Sequence, residues 1–254
     1  MKSTKKLLFG MSAIIFISFE ALMFYLIHIK VVDTELNLRY ISVIAAVIFS
    51  WLTLIIELMT TGTEITTASA IICSKAKGNL IRIAMLFTLV ADYYMVALDE
   101  PDNLSGVTVF LGTQFFIFLH IVVNDKNKNT RLANIVFRVV LSFIMVAVVY
   151  YVLGNNADST AIISAVYYAN LCTNVVFAHR IGRGGTILTI GLILFALCDI
   201  NVGLTALEII YTGGFPEGSL LYNIVNSELD FIWIFYIPSQ TLIPLTLLFT
   251  DKNK

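Results

Sequence analysis

The sequence predicts an all-α fold, a polytopic membrane bundle of eight transmembrane helices with both termini cytoplasmic. Three observations predict it. Of the 254 residues, 58% are hydrophobic and only 13% charged, with a mean hydropathy of +0.88, where a soluble domain carries about a quarter charged residues. The apolar residues gather into blocks of about 20, the length a helix needs to cross a bilayer. When successive blocks are made to alternate in direction, fourteen of the sixteen lysines and arginines fall on one side, as cytoplasmic loops require. Disorder, a secreted disulfide scaffold and a soluble enzyme are excluded by the same figures.

The first block, Leu7 to Ile29, follows Lys2, Lys5 and Lys6. It is long for a secretory signal, contains Glu20 and lacks a small-x-small cleavage site, so a retained helix is expected. The second, Tyr40 to Met59, runs into TTGTEITTASAIICS (60–74), which is too polar and too short to cross and is expected to extend the helix on the cytoplasmic side or lie at the interface. The third and fourth, Ile81 to Leu98 and Leu104 to Val123, are divided by the acidic stretch Asp99 to Asp102. The fifth, Ala133 to Leu153, starts after a hydrophilic connector at 125–130. The sixth and seventh, Ser159 to Ala178 and Thr186 to Tyr211, are joined by IGRGGT (181–186). That segment follows no strand and lacks the lysine of a phosphate loop, so it is a turn. The eighth, Leu229 to Phe249, contains Pro238 and Pro244, either of which could break it. Connections other than 60–74 are expected to be about ten residues or fewer, so 1–254 forms one integral membrane domain and any activity lies within or at the edge of the bilayer.

The basic side collects the N-terminus, Lys75, Lys77, Arg82, Lys126, Lys128, Arg131, Arg138, Arg180, Arg183 and the C-terminal lysines. The other side holds Lys30 and Arg39 among Asp33, Glu35, Asp99, Glu100, Asp102, Asp158, Glu217, Glu228 and Asp230. With a net charge of −1 and basic residues scattered over short loops, nucleic acid is not an expected partner; membrane lipids are. Cys73, Cys172 and Cys198 lie far apart with no metal-ligand spacing, and are expected to pack as small apolar residues, with no metal site.

Ionisable groups in the hydrocarbon region are costly unless paired or hydrated, which makes each a functional candidate. They are Glu20, Glu57, Asp92, His120, Asp199 and Glu208. At a rise of about 1.5 Å per residue, Asp92 lies about 15 Å beyond Arg82 and Asp199 about 20 Å beyond Thr186, both near the midplane. Gln114, Gln240 and Glu20 come to similar depth, whereas Glu57 and His120 fall near the cytoplasmic edge and Glu208 near the outer edge, where side chains reach water. The central group has acids and no lysine or arginine. Two carboxyls in different environments are what general acid and general base catalysis requires; the same groups also serve to hydrogen-bond helices together.

At these residues the chain resembles the YhhN family of eight-helix membrane proteins, whose characterised members are lysoplasmalogenases. LFTLVADYYM (86–95) is similar to the family's apolar run ending in Gly-Asp, with Asp92 as the aspartate and Ala91 in the glycine's place. GLILFALCD (191–199) is similar to its G-x-x-x-F-x-x-S-D element, with Cys198 for the serine, and FYIPSQTLI (235–243) to its Y-x-x-x-Q-x-x-I element. In the fourth helix the family's G-x-x-x-F-x-x-x-H is met by Gly106, Phe110 and Gln114, with His120 six residues later. The resemblance implies hydrolysis of the vinyl-ether bond of a lysophospholipid substrate, with Asp92 and Asp199 as the catalytic pair. Gln114, Tyr236 and Gln240 would orient water and substrate, with Glu20, which has no family counterpart, grouped with them by depth, and neither metal nor organic cofactor is required.

Two other functions compete. Midplane carboxyls serve proton-coupled transporters, and the likeness of LFTLVAD to LILFALCD hints at an internal repeat across the third and seventh helices. A membrane subunit that has lost the family's chemistry is the other, favoured by the missing histidine.

Overall fold

The computed structural model describes residues 2–28, 38–61, 76–210, 214–227 and 229–249. Residues 62–74, and with them Cys73 and most of the polar stretch after the second block, lie outside the described residues. All regular structure among the described residues is helical: α1 (Lys2–His28), α2 (Leu38–Thr61), α3 (Ala76–Asp92), α4 (Asn103–Asn124), α5 (Lys128–Leu153), α6 (Ser159–Ala178), α7 (Arg183–Ile210), α8 (Leu220–Val225) and α9 (Phe231–Leu245). Eight of them, all but α8, are long and apolar enough to cross a membrane, and the chain is an integral membrane protein. Helices α1, α3 and α5 begin five residues before the apolar blocks do. Helical hydrogen bonding continues through the lysine-bearing first turns, and in α1 the Lys5 ammonium lies 5.5 Å from the centre of the Phe9 ring.

Three acids of the acidic side, Asp102, Asp158 and Asp230, are helix N-caps. Asp102 accepts from the Ser105 amide at 3.0 Å, Asp158 from the Ala161 amide at 2.8 Å and Asp230 from the Trp233 amide at 3.4 Å. Each satisfies a free amide and faces the positive end of a helix dipole. The side-chain and backbone donors of Ser105 hold the exposed Asp102 carboxyl below its usual range.

Two neighbouring hairpins form the centre: α3 lies along α4, and α7 along α9. Helix α6 packs against α4, α5 and α7, while α2 touches α1, α3 and α9. Helix α5 leans on α6 and turns most of its surface outward. The α6–α7 turn is as expected, a single 3₁₀ turn at His179–Ile181 followed by Gly182 at φ 85°, a left-handed conformation natural only to glycine. Within it, a Cβ on Gly185 would collide with the carbonyl oxygen of Ala178. Gly185→Ala is therefore expected to destabilise the protein by about 1–3 kcal/mol, read as a lowered thermal denaturation midpoint in detergent; an unchanged midpoint would show that the turn relaxes freely.

Several expectations are corrected. The connection from α7 to α9 is longer than ten residues and contains α8. Pro238 does not break α9, which runs on to Leu245 and passes into a 3₁₀ turn at Thr246–Leu248. Nearby hydroxyls bond back to helix carbonyls, Ser239 to Tyr236 at 2.7 Å and Thr241 to Ile237 at 2.8 Å, as is usual where membrane helices tolerate proline. Glu57 and His120 do not reach water: both are buried. Glu57 pairs at 3.6 Å with Arg82, itself only 1% exposed. The Arg82 guanidinium also donates to the Ser50 carbonyl at 2.9 Å, Thr53 at 3.0 Å and Asn79 at 3.0 Å. His120 donates from Nδ1 to the Lys77 carbonyl at 2.6 Å. Arg138 belongs to no loop; it lies within α5, stacks 4.3 Å from the centre of the Phe118 ring, and donates to Asn174 at 2.7 Å, to Asn134 at 3.3 Å and to Asn170. The common reason is that hydropathy reports how deep a residue lies and not whether it faces lipid or a neighbouring helix.

Candidate functional site

Asp92 is the last residue of α3, and the chain continues from it into a π-helical turn, Tyr93–Ala97. Such widened turns are frequent at functional sites. The turn carries Met95 and Val96 into the wall of a cavity that also contains Asp92. Asp199 enters the same cavity from α7, Tyr167 from α6 and Tyr236 from α9. The Tyr236 hydroxyl donates to Asp92 Oδ2, and the Tyr167 hydroxyl donates to Asp199 Oδ2 at 2.6 Å. Both carboxyls line the one cavity. Asp92 is 3% exposed, while Asp199 is partly open.

Five rings hold this arrangement. Trp233 lies 5.1 Å from Tyr236, Tyr236 lies 5.6 Å from Phe195, Phe195 lies 5.6 Å from Phe110 and Phe110 lies 5.9 Å from Tyr167, centre to centre and mostly edge to face. These are favourable aromatic geometries, and they run unbroken from one tyrosine to the other. The hydroxyl that meets each aspartate is thus located by ring packing. Tyr236→Phe keeps the rings and removes the hydroxyl from a buried carboxyl, with an expected stability loss of about 1–3 kcal/mol; a midpoint equal to wild type in thermal denaturation would mean that Asp92 finds another donor.

The cavity measures about 640 Å³, within the range of about 300–1,000 Å³ typical of small-molecule sites. Its back is made by small residues of α6, Thr160, Ala161, Ser164 and Ala165, which leave room between α5 and α7. Met145, Val149 and Leu153 of α5 form one side, and Ile200, Gly203, Leu204 and Leu207 of α7 the other. Asn103 and Asp158 stand at the acidic end of the bundle. Among the described residues that line it there is no lysine, arginine or histidine.

Of the six residues expected at a site, the structure brings together Asp92, Asp199 and Tyr236. The other three line no part of this cavity. Gln114 is fully buried against α6, where Asn174 donates to its Oε1 at 3.0 Å and to its carbonyl at 2.9 Å. Gln240, also fully buried, donates to Ser239 Oγ at 3.4 Å. Glu20 accepts from Ser42 Oγ at 2.5 Å at the α1–α2 contact. Equal depth does not make these side chains face the same space. Tyr167, Tyr168, Trp233 and the glycine of α7 at 203 were not anticipated. The available signal for Tyr167 was its depth: eight residues past Ser159 on an inward-running helix, or about 12 Å, with an acid of matching depth on the next helix. Cys198 packs beside Asp199 as a buried free thiol and Cys172 is also unpaired.

Fold and site together define an integral membrane protein with a largely apolar cavity in which two carboxyls, Asp92 and Asp199, each accept from a tyrosine. Compared with family models, with curated proteins and with solved structures, the chain finds no match in any of the three.

Proposed function

We propose that this cavity is the active site of a membrane-embedded hydrolase that cleaves the vinyl-ether bond of a lysophospholipid, releasing a fatty aldehyde and a glycerophospho-base. The observation that supports this reading most is the pair of tyrosine-bound carboxyls, Asp92 and Asp199, at membrane depth in an otherwise apolar cavity. A vinyl ether reacts when an acid protonates its distal alkene carbon. The resulting oxocarbenium ion takes up water at the carbon bonded to oxygen, and the hemiacetal collapses to aldehyde and alcohol. One carboxyl of the pair, protonated, donates the proton to carbon. The other, ionised, stabilises the cation and takes a proton from the attacking water. Tyr236 and Tyr167 position the two carboxyls and can carry part of the charge as it changes hands. The resemblance to the YhhN family supports the same chemistry. Its histidine register falls on Gln114, whose partner is Asn174 of α6, so in this chain the reaction relies on the acids and tyrosines alone. Release of aldehyde by the purified protein from a defined lysoplasmalogen tests the proposal, and silence from a folded wild type would end it.

A second reading, proton-coupled transport, has one observation in its favour. The helices that carry the two aspartates, α3 at its end and α7 in its interior, each pack along the membrane helix that follows, α4 and α9, as two copies of one hairpin would. Uptake into vesicles that a protonophore abolishes would favour it over hydrolysis.

A further inference from the structure

The cavity has a second property that the cleavage reaction does not use: it reaches the lipid-facing surface. Gly203 and Ile200, both in its wall, are exposed on the outside of α7. A Cβ added at Gly203 meets no atom within 4 Å, so the wall there stands open. On the other side of the opening is α5, which is held in the bundle by α6 and offers Met145 and Val149 one turn apart. The result is a cleft between α5 and α7, apolar along its length, that ends at Asp199 and Asp92.

The charges in the cavity are of one sign. Asp92, Asp158 and Asp199 line it, with no basic side chain among the described lining residues. Arg39, near its acidic end, is engaged by Asp230 at 2.9 Å and lies over the Trp233 ring at 5.0 Å. A head of net negative charge drawn into such a space would meet carboxylates, whereas an ammonium, including the ammonium end of a zwitterionic lysophospholipid head, would find carboxylates and aromatic faces, both of which attract it. We propose that the α5–α7 cleft is a lateral entrance by which a single-chain amphiphile with an ammonium head passes from the bilayer into the cavity, its tail remaining in the cleft and its head among the acids. This binding stands apart from vinyl-ether cleavage, because it is read without turnover.

The test uses the full chain in phosphatidylcholine nanodiscs with Trp51→Phe, which leaves Trp233, in the cavity wall, as the one tryptophan of the two in the sequence. The probe is N-dodecylpyridinium, whose cationic ring quenches indole fluorescence on contact. Saturable quenching is expected, reversed by dodecyltrimethylammonium at a tenth or less of the dodecyl sulfate concentration needed. Gly203→Phe fills the cleft where no atom opposes it and is expected to raise the half-saturation concentration at least tenfold, while Gly203→Ala leaves it unchanged. Val149→Phe, from the facing wall, is expected to reproduce the loss and serves in place of Gly203→Phe if that variant does not fold. Quenching that never saturates, wild-type half-saturation in the filled variants, or displacement by sulfate as readily as by ammonium would each overturn the proposal. Loss of binding with aldehyde release intact would overturn it while sparing the hydrolase reading; binding without aldehyde release would do the reverse.

Discussion

Asp92→Asn and Asp199→Asn are each expected to reduce aldehyde release from a lysoplasmalogen by on the order of 10²–10⁴-fold, with the purified variants still monodisperse in detergent. The amide keeps the shape of the carboxyl and can accept from Tyr236 or Tyr167 as the acid does, so the fold has little reason to fail. What is lost is the exchangeable proton in one variant and the negative charge in the other. Because both carboxyls act on one substrate, the double variant is expected to be little worse than either single one, as for residues that act as a unit. Wild-type turnover in either single variant would sink the assigned roles. Losses that multiply in the double variant would show that the two carboxyls do not act together.

The largest structural effect is expected at the opposite end of the bundle. Arg82→Met removes the guanidinium from beside buried Glu57 and leaves Ser50 and Thr53 without its donors, and breaking a buried pair from one side costs about 3–5 kcal/mol. Replacing both residues, as Arg82→Met with Glu57→Met, is expected to recover much of that loss, since no charge is then stranded. The check is a double-mutant cycle on thermal denaturation in detergent. If the two single losses simply add, the pair does not act as one, and Arg82 is held by its neutral partners instead.

The number of membrane helices, their order and the depth of Asp92 and Asp199 are all legible in the chain read as text. A bilayer imposes one length and one polarity on anything that crosses it, so a count of apolar residues between charged borders already measures position along the membrane normal. The turn at 181–186 is legible too, because its glycines answer a local backbone demand. Rotation about each helix axis is not encoded in that way. A glutamine at midplane looks the same in sequence whether it faces a cavity, as was expected of Gln114, or Asn174 of the next helix, as it does. The same ambiguity hid Arg82 and Glu57 behind the appearance of interfacial charges, and left Tyr167 as one aromatic residue among many, while Tyr236 stood out only through the family resemblance. Which carboxyl meets which hydroxyl, and that small residues of α6 open a cleft between α5 and α7, follow from how eight nearly equivalent apolar cylinders choose their contacts. Side-chain volume and interhelical hydrogen bonds make that choice, and they act between residues far apart in the chain, where no local pattern records them.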